Sequence, residues 1–570
     1  MEHMEPKRMK VLVDKFTTCR VGGGLRESGN SCRKKISSKQ SIYIYALLIS
    51  MAFTLQKKII YTGKISDSYS VNYINDIDGI TLISVFFYAI PIAISLFLLI
   101  FLIEQICKFI GEISKKTDIL QRINFRILSF IILLAGWSIY FITYFPGTAV
   151  SDSVRVLNNP IGTATQHTLF YNLLLTGIFK LGTWIAFGNM YGGAILYSIV
   201  QMIYTACIIS YVLDWMSKRN ISRLVILFVL AFYALSPMMS NIAILAVKDS
   251  FYSVTFLLYI PLLTDIYDSK AMILQESKKK VILFIYVTAI LTLTRNNGKY
   301  ITVVLITVLF TAYRNTWKCI LLIALLGIVI PIMSDSMAMN YFDKQKDFVE
   351  SMALPLQQIA MTVVSDGEMN EKQKAVVDNI MSKENFEKYY APCSVDSIKW
   401  GEGGKNLNKY YIRSNKLTFL ATWISMFPEN VQCYIKAFLL NAYGYWGFNV
   451  ESTQGYYSSY IDVGNDIHIE HMQIWPDRIE KELNEYYSKF KNRYSAGEMI
   501  WIILFLLVLE MSKKGRWIIF IPSIFCWIIL IMSAPITNGF RYVYPLYLSI
   551  PLLCCITLFD RTVEMIRAKE

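Results

Sequence analysis

The chain has 570 residues, 54% of them hydrophobic and 17% charged, with a formal net charge of +14 and a mean hydropathy of +0.41. Soluble domains carry about a quarter charged residues, whereas apolar residues here arrive in unbroken blocks of near-bilayer length, 79–103 being one. A soluble enzyme, a disordered chain and a disulfide scaffold are excluded, and the pattern is that of an all-α polytopic membrane protein. The basic excess does not point to nucleic acid, because Lys and Arg cluster beside the apolar blocks, where they set orientation, and no basic recognition module is visible.

Residues 1–40 form a basic tail, with ten Lys and Arg against four acids, and it is too long and polar to be a secretory signal. About twelve spans are expected, at 41–60, 79–103, 125–145, 190–213, 221–237, 250–266, 281–294, 300–313, 318–333, 498–511, 516–534 and 542–559. With the tail in the cytoplasm, the connections 104–124, 214–220, 267–280, 314–317 and 512–515 fall inside, and each is basic. Lys57 and Lys58 oppose this count. Both termini are then cytoplasmic, and 61–78, 146–189, 238–249, 295–299, 334–497 and 535–541 face outward. The apolar block 167–187 breaks the parity if it crosses, so it reads as amphipathic or re-entrant at the outer interface; the alternative is that it crosses and 41–60 does not.

The organisation that follows is a tail (1–40), two additional N-terminal spans (41–124), a transmembrane module (125–333) whose first external loop is 146–189, an extracytoplasmic insert (334–497), and three C-terminal spans with a cytoplasmic tail (498–570). The insert alone has globular composition, with Asp335, Asp343, Asp366, Glu368, Asp396, Glu402, Asp462 and Asp466 beside numerous lysines and tyrosines. Helices are expected at 345–364 and 371–391. The apolar stretch 417–446 is interrupted by Pro428, Glu429 and Asn430, so it reads as two membrane-surface helices, with a spanning hairpin as the alternative. Cys393 and Cys433 could pair in the insert. No Cys/His spacing reads as a metal site.

The residues able to carry chemistry fall on the outward segments. Pro146-Gly147 makes a turn and presents Asp152 between Ser151 and Ser153, where a carboxylate can accept a proton or hold a divalent cation; an Asx-turn or N-cap role is the alternative. His167 can donate to a phosphate or orient Asp152, or be merely structural. Lys248-Asp249 adds a cation and a second acid at the same surface, unless Asp249 caps the following helix. Arg295, Asn296 and Lys299, squeezed between two spans, and Arg541-Tyr542 after Asn538-Gly539 put cations where the positive-inside bias opposes them. Snorkelling accounts for such arginines, and phosphate binding accounts for them equally well chemically. Asp152, His167 and Asp249 are therefore the catalytic candidates, and Lys248, Arg295, Asn296, Lys299, Arg541 and Tyr542 the substrate-binding ones. The set suits a membrane-anchored phosphate whose polar group projects outside, as in a polyprenyl-phosphate sugar.

The string Pro146-Gly147 with Ser151-Asp152-Ser153, followed by a His-containing amphipathic segment, resembles the first external loop of the C-type (GT-C) polytopic membrane glycosyltransferases. The order Lys248-Asp249, Arg295-Asn296-Asn297-Gly298, Pro355-Leu356-Gln357-Gln358-Ile359-Ala360, Gly444-Tyr445-Trp446 and Arg541-Tyr542 with Pro545 more closely resembles an uncharacterised bacterial integral membrane family placed near that superfamily. The resemblance covers roughly residues 125–560. It departs at Gln166-His167-Thr168, where a His-Pro pair is expected, and in the two extra N-terminal spans. It implies a GT-C-like fold and sugar transfer from a polyprenyl-phosphate donor to an envelope glycan, lipid or protein, with Asp152 as the acceptor-activating base and Arg541 as a phosphate ligand. Metal dependence varies in the superfamily, so a divalent cation stays open. The alternatives are a non-catalytic envelope assembly protein and a lipid or polysaccharide transporter or flippase, although no internal repeat or mid-bilayer ionisable group speaks for transport.

Overall fold

The computed structural model describes residues 38–57, 59–61, 71–74, 82–114, 124–219, 221–450, 469–490, 493–513, 515–533, 535–537 and 539–560. Nearly all of the expected basic tail, and the last ten residues, lie outside the described residues. Helices make up almost everything described, with two short two-stranded pairings as the only sheet among those residues.

Among the described residues six helices are long and apolar enough to cross a bilayer, namely Ser84–Ile110, Phe125–Thr143, Met190–Ser217, Lys248–Asp268, Arg314–Tyr341 and Phe540–Phe559. A seventh exists if Arg223–Leu235 and Pro237–Ile244, bent by 61° against each other, form one span. The expected count of about twelve is not confirmed among these residues. Gln40–Gln56, Leu169–Ile185, Gly298–Ala312 and Trp517–Ser533 are apolar but short, within 10–17 residues, and Lys278–Thr294 and Ala496–Ser512 have 17 residues each. Seventeen residues rise about 26 Å against a hydrocarbon core of about 30 Å. Apolar composition marked these blocks, but the points where Pro, Gly and capping residues interrupt helical hydrogen bonding set their lengths. The break at Ser236-Pro237 is one such point, because proline lacks the N–H that the helix would need.

Burial sorts the long helices. Of the apolar window of Ser84–Ile110, 17% is buried, and Phe87, Ile90 and Leu98 point outward; the corresponding share of Lys248–Asp268 is 83%. The first is dressed for lipid and the second is the core of the bundle. Together these apolar helices make the chain a membrane protein.

The insert has a core of its own, with Leu356, Ile359, Phe386, Ile398, Ile412 and Phe419 buried together. The helix expected at 371–391 is two, Glu371–Ile380 and Lys383–Tyr389, because Ser382 accepts the Asn385 amide and starts the second. The 417–446 stretch forms Lys416–Met426 and Val431–Asn441, with the Pro428 region between them. Cys393 and Cys433 are not joined in a disulfide.

Lys248–Asp268 and Phe540–Phe559 each begin beside a cavity and finish in a buried ion network, about 30 Å along the helix axis. In that network Arg219 pairs with Asp265 (3.2 Å), Asp268 and Asp560 (2.8 Å), and Arg516 pairs with Asp268 (2.6 Å) and Asp560 (3.2 Å). Lys280 reaches Asp265 at 2.6 Å. Segments 214–220 and 267–280 and the chain just past 512–515 therefore meet at one end of the molecule.

Candidate functional site

At the other end, four separate stretches of chain converge. The Phe125–Thr143 helix gives way to Pro146-Gly147, and Gly147 is obligatory there: its φ is +143°, and a Cβ would lie 2.2 Å from Ser198 Oγ. Thr148–Ala149 then pairs in parallel with Leu245–Ala246, and the Ser153 hydroxyl donates to the Ala246 carbonyl. Gln201 Nε2 fixes the second strand by donating to the carbonyls of Ile242 (2.9 Å) and Leu245 (2.7 Å). This small ladder sets the first turn of the Ser151–Asn158 helix, with Asp152, beside the first turn of the Lys248–Leu257 helix.

The third stretch holds His167. Its neighbours are tied down on both sides: Asn296 Nδ2 donates to the Gln166 carbonyl (2.9 Å) and Thr168 Oγ1 to the Thr294 carbonyl (3.1 Å). Lys346 Nζ donates to the His167 carbonyl at 2.5 Å. The fourth is the 3-10 turn Phe540–Val543, which carries Arg541 and Tyr542.

Asp152, His167, Lys248, Arg541 and Tyr542 all line one cavity of about 910 Å³. Arg541 Nη2 lies 3.0 Å from Asp152 Oδ2, and Arg155 pairs with the other carboxylate oxygen. Burial alone would raise the Asp152 carboxyl, but the charges of Arg541, Lys248 and Arg155 outweigh it and hold the group well below the usual carboxylate range. Lys248 Nζ touches His167 Nδ1. An ammonium can only donate, so Nδ1 accepts and the ring hydrogen sits on Nε2. Burial, reinforced by Lys248, keeps this imidazole neutral at neutral pH. Its Nε2 is buried without a hydrogen-bond partner.

Four of the residues expected at the site do not face the cavity. Asp249 is fully buried beneath it, with Arg295 Nε at 3.3 Å and Arg541 Nε at 3.9 Å. It is expected among the catalytic residues but does not line the cavity, and its carboxylate faces the two guanidinium groups. Arg295 is spent in that layer, stacked between Tyr252 (5.6 Å) and Tyr542 (5.2 Å). Asn296 is used by the Gln166 backbone, and Lys299 sits outside the lining with its ammonium 5.1 Å from the Tyr300 ring. The RNNG string is therefore a brace, and Gly298 within it passes so near Leu291 that a Cβ would lie 1.9 Å from its carbonyl oxygen.

The insert supplies cavity residues that no motif singled out, including Glu350, Tyr389, Asp396 and Trp400. They reach the cavity because residues 393–395 bond to the chain just before Arg541. Ser394 bridges Ile536, the Val395 amide donates to the Pro535 carbonyl (2.9 Å), and the Thr537 amide donates to that of Cys393 (2.8 Å). Gln357 Nε2 holds the Ala391 carbonyl at 2.9 Å, and the Tyr445 hydroxyl donates to that of Ile536 at 2.8 Å. The PLQQIA and GYW strings thus support this junction. Tyr389, Tyr390 and Trp400 around Asp396 and Glu402 are the one local signal from which sequence reasoning had a chance to find this wall.

The donor set is a poor fit for a divalent cation. Asp152 is already ringed by three cations, and among the described residues no three His, Cys, Asp or Glu side chains are gathered to ligate one. What the walls can do is bind an anionic group at Arg541, Lys248 and His167 and meet hydroxyl groups with the carboxylates.

The model of a family of unknown function (DUF6020) matches residues 158–570, and the chain belongs to that family. The matched region takes in His167, Lys248, Arg541 and the whole insert, and begins just after Asp152. Neither a curated protein nor a solved structure matches the chain.

Proposed function

We propose that this member of the family is a GT-C-like membrane glycosyltransferase that moves a sugar from a polyprenyl-phosphate donor to an envelope glycan, lipid or protein on the extracytoplasmic face. The observation that carries this is the cavity in which Arg541, Lys248, His167 and Asp152 meet at the ends of two bilayer-length helices. Helix ends lie at headgroup depth, where the phosphate of a lipid-anchored donor also lies. Arg541 binds that phosphate and stabilises it as a leaving group, and the partnerless His167 Nε2–H is a second donor for its oxygens. Asp152, beside Arg541, has the position of a base at the reacting centre.

Comparative glycan and lipid analysis of a deletion strain tests this. One envelope component should be lost and restored by the wild-type chain but not by Asp152→Asn inserted at normal levels; an unchanged envelope rejects the transferase. The orientation is tested in a cysteine-free background on intact cells. A membrane-impermeant maleimide should label a cysteine at position 402 on the cavity rim and spare one at position 218 by the ion network. The reverse pattern overturns the extracytoplasmic placement.

A further inference from the structure

Position and basicity separate in this cavity. A base has to gain a proton, and the cations around Asp152 stabilise its ionised form, which makes it a reluctant acceptor. Four carboxylates line the space: Asp152, Glu350, Asp396 and Glu402. Glu350 is paired with Lys399 at 3.0 Å, Glu402 with Lys405 at 2.5 Å, and Asp152 with Arg541 and Arg155. The Asp396 carboxylate has neither an ion pair nor a hydrogen bond among the described residues.

The charged groups that face Asp396 are Lys399 from its own turn, Glu350 from the start of the insert, Asp152 from the first external loop and Arg541. Burial is the largest influence on it, and the carboxyl is pushed above its ordinary value. Its placement is rigid, because it follows directly on the 393–395 backbone junction with 535–537. Asp396 and Asp152 line the same cavity, so one substrate can touch both. Tyr389 and Trp400 stand beside Asp396 in the same wall, and flat aromatic faces next to a carboxylate suit a polyhydroxylated acceptor.

Resting on the transferase reading above, we propose that Asp396, from the insert, takes the proton of the acceptor hydroxyl, and that the acceptor enters along the wall made by Asp396, Tyr389 and Trp400. The acceptor oxygen forms a bond to the anomeric carbon of the donor while its proton passes to the Asp396 carboxylate. The bond from that carbon to the lipid phosphate breaks, and its electron pair leaves with the phosphate oxygen, whose charge meets Arg541 and Lys248. The proton then passes from Asp396 to water. Asp152 keeps Arg541 aligned and is a positioning residue.

The test uses the full chain in lipid nanodiscs with polyprenyl phosphate as the binding probe, alongside recovery of the envelope component lost in the deletion strain. Asp396→Asn should cut product formation about 10²–10⁴-fold and leave polyprenyl-phosphate binding within about twofold, whereas Asp152→Asn should alter that binding. Asp396→Glu should regain part of the activity and displace the acid limb of the pH profile. Intact probe binding together with full product from Asp396→Asn overturns the assignment of Asp396 alone. Failure of the wild-type chain to bind the probe removes the transferase reading and this proposal with it. If Asp396→Asn does not reach the membrane, Asp396→Glu decides: a displaced acid limb supports the assignment, and an unchanged profile overturns it.

Discussion

At the Asp268 end of the Lys248–Asp268 helix, Arg219, Arg516 and Lys280 are each met by carboxylates from other helices. About 30 Å away, at the Lys248 end, Arg541, Lys248 and His167 meet Asp152 in front of a cavity of about 910 Å³. The two clusters use the same residue types and share two helices, yet the first is closed and the second is open. In the closed one the ionic groups complete each other, and Arg516 and Asp560 have almost no exposure left. In the open one the cations gather on the helix ends and the unpaired acid Asp396 stands on the insert wall, so the charges are arranged for a third party. Buried charge that is fully matched holds structure together; buried charge left facing a space is where a ligand binds.

Substitutions at the two ends should break the molecule in different ways. The largest effect is expected from Arg541→Lys, which keeps a cation beside Asp152 and Asp249 but loses the planar fork, and which should lower transfer by about 10²–10³-fold while the thermal midpoint in detergent moves little; full complementation of the deletion strain would erase the contrast. Arg516→Met should do the opposite. It leaves Asp268 and Asp560 buried against Arg219 alone, at a cost of about 3–5 kcal/mol, seen as a large drop in midpoint and in membrane yield with normal activity per folded molecule.

The pH dependence sharpens the comparison further. His167 is held neutral by burial and by Lys248, with its folded pKa below the unfolded value, so its contribution to stability is whole above about pH 6.5 and fades below that as the unfolded chain takes up the proton first. His167→Gln should flatten that part of the midpoint-against-pH curve. Asp152, also depressed, adds stability that is complete above about pH 4 and is lost only as the pH falls towards its lower folded value. The smallest effect is expected from Lys299→Ala, outside the cavity lining, which should change stability by no more than about 0.5 kcal/mol; a marked loss of donor binding would return Lys299 to the site.

Part of this arrangement was legible in the residues. The Pro146-Gly147 turn, Lys248 and Arg541 stood out because carboxylates, cations and glycines at the ends of apolar blocks cost free energy unless something uses them. What the residue string did not separate was facing from bracing. Arg295 and Arg541 look alike in sequence, and only the Asp249 carboxylate beneath them, with Tyr252 and Tyr542 stacked on Arg295, consigns one to the interior. Span count was not settled by hydropathy for a similar reason: hydropathy reports solvent preference, while helix length depends on where backbone hydrogen bonding stops, as at Ser236-Pro237.

Composition and block length alone determined that the chain is a helical membrane protein, because transfer of apolar side chains out of water is a local property that adds residue by residue. Tertiary structure decided which charges confront the cavity. Asp396 lies 244 residues from Asp152 along the chain, and it comes to the same space only through the backbone bonds between 393–395 and 535–537. Such contacts depend on pairing across distant segments, for which a linear sequence carries no local signal.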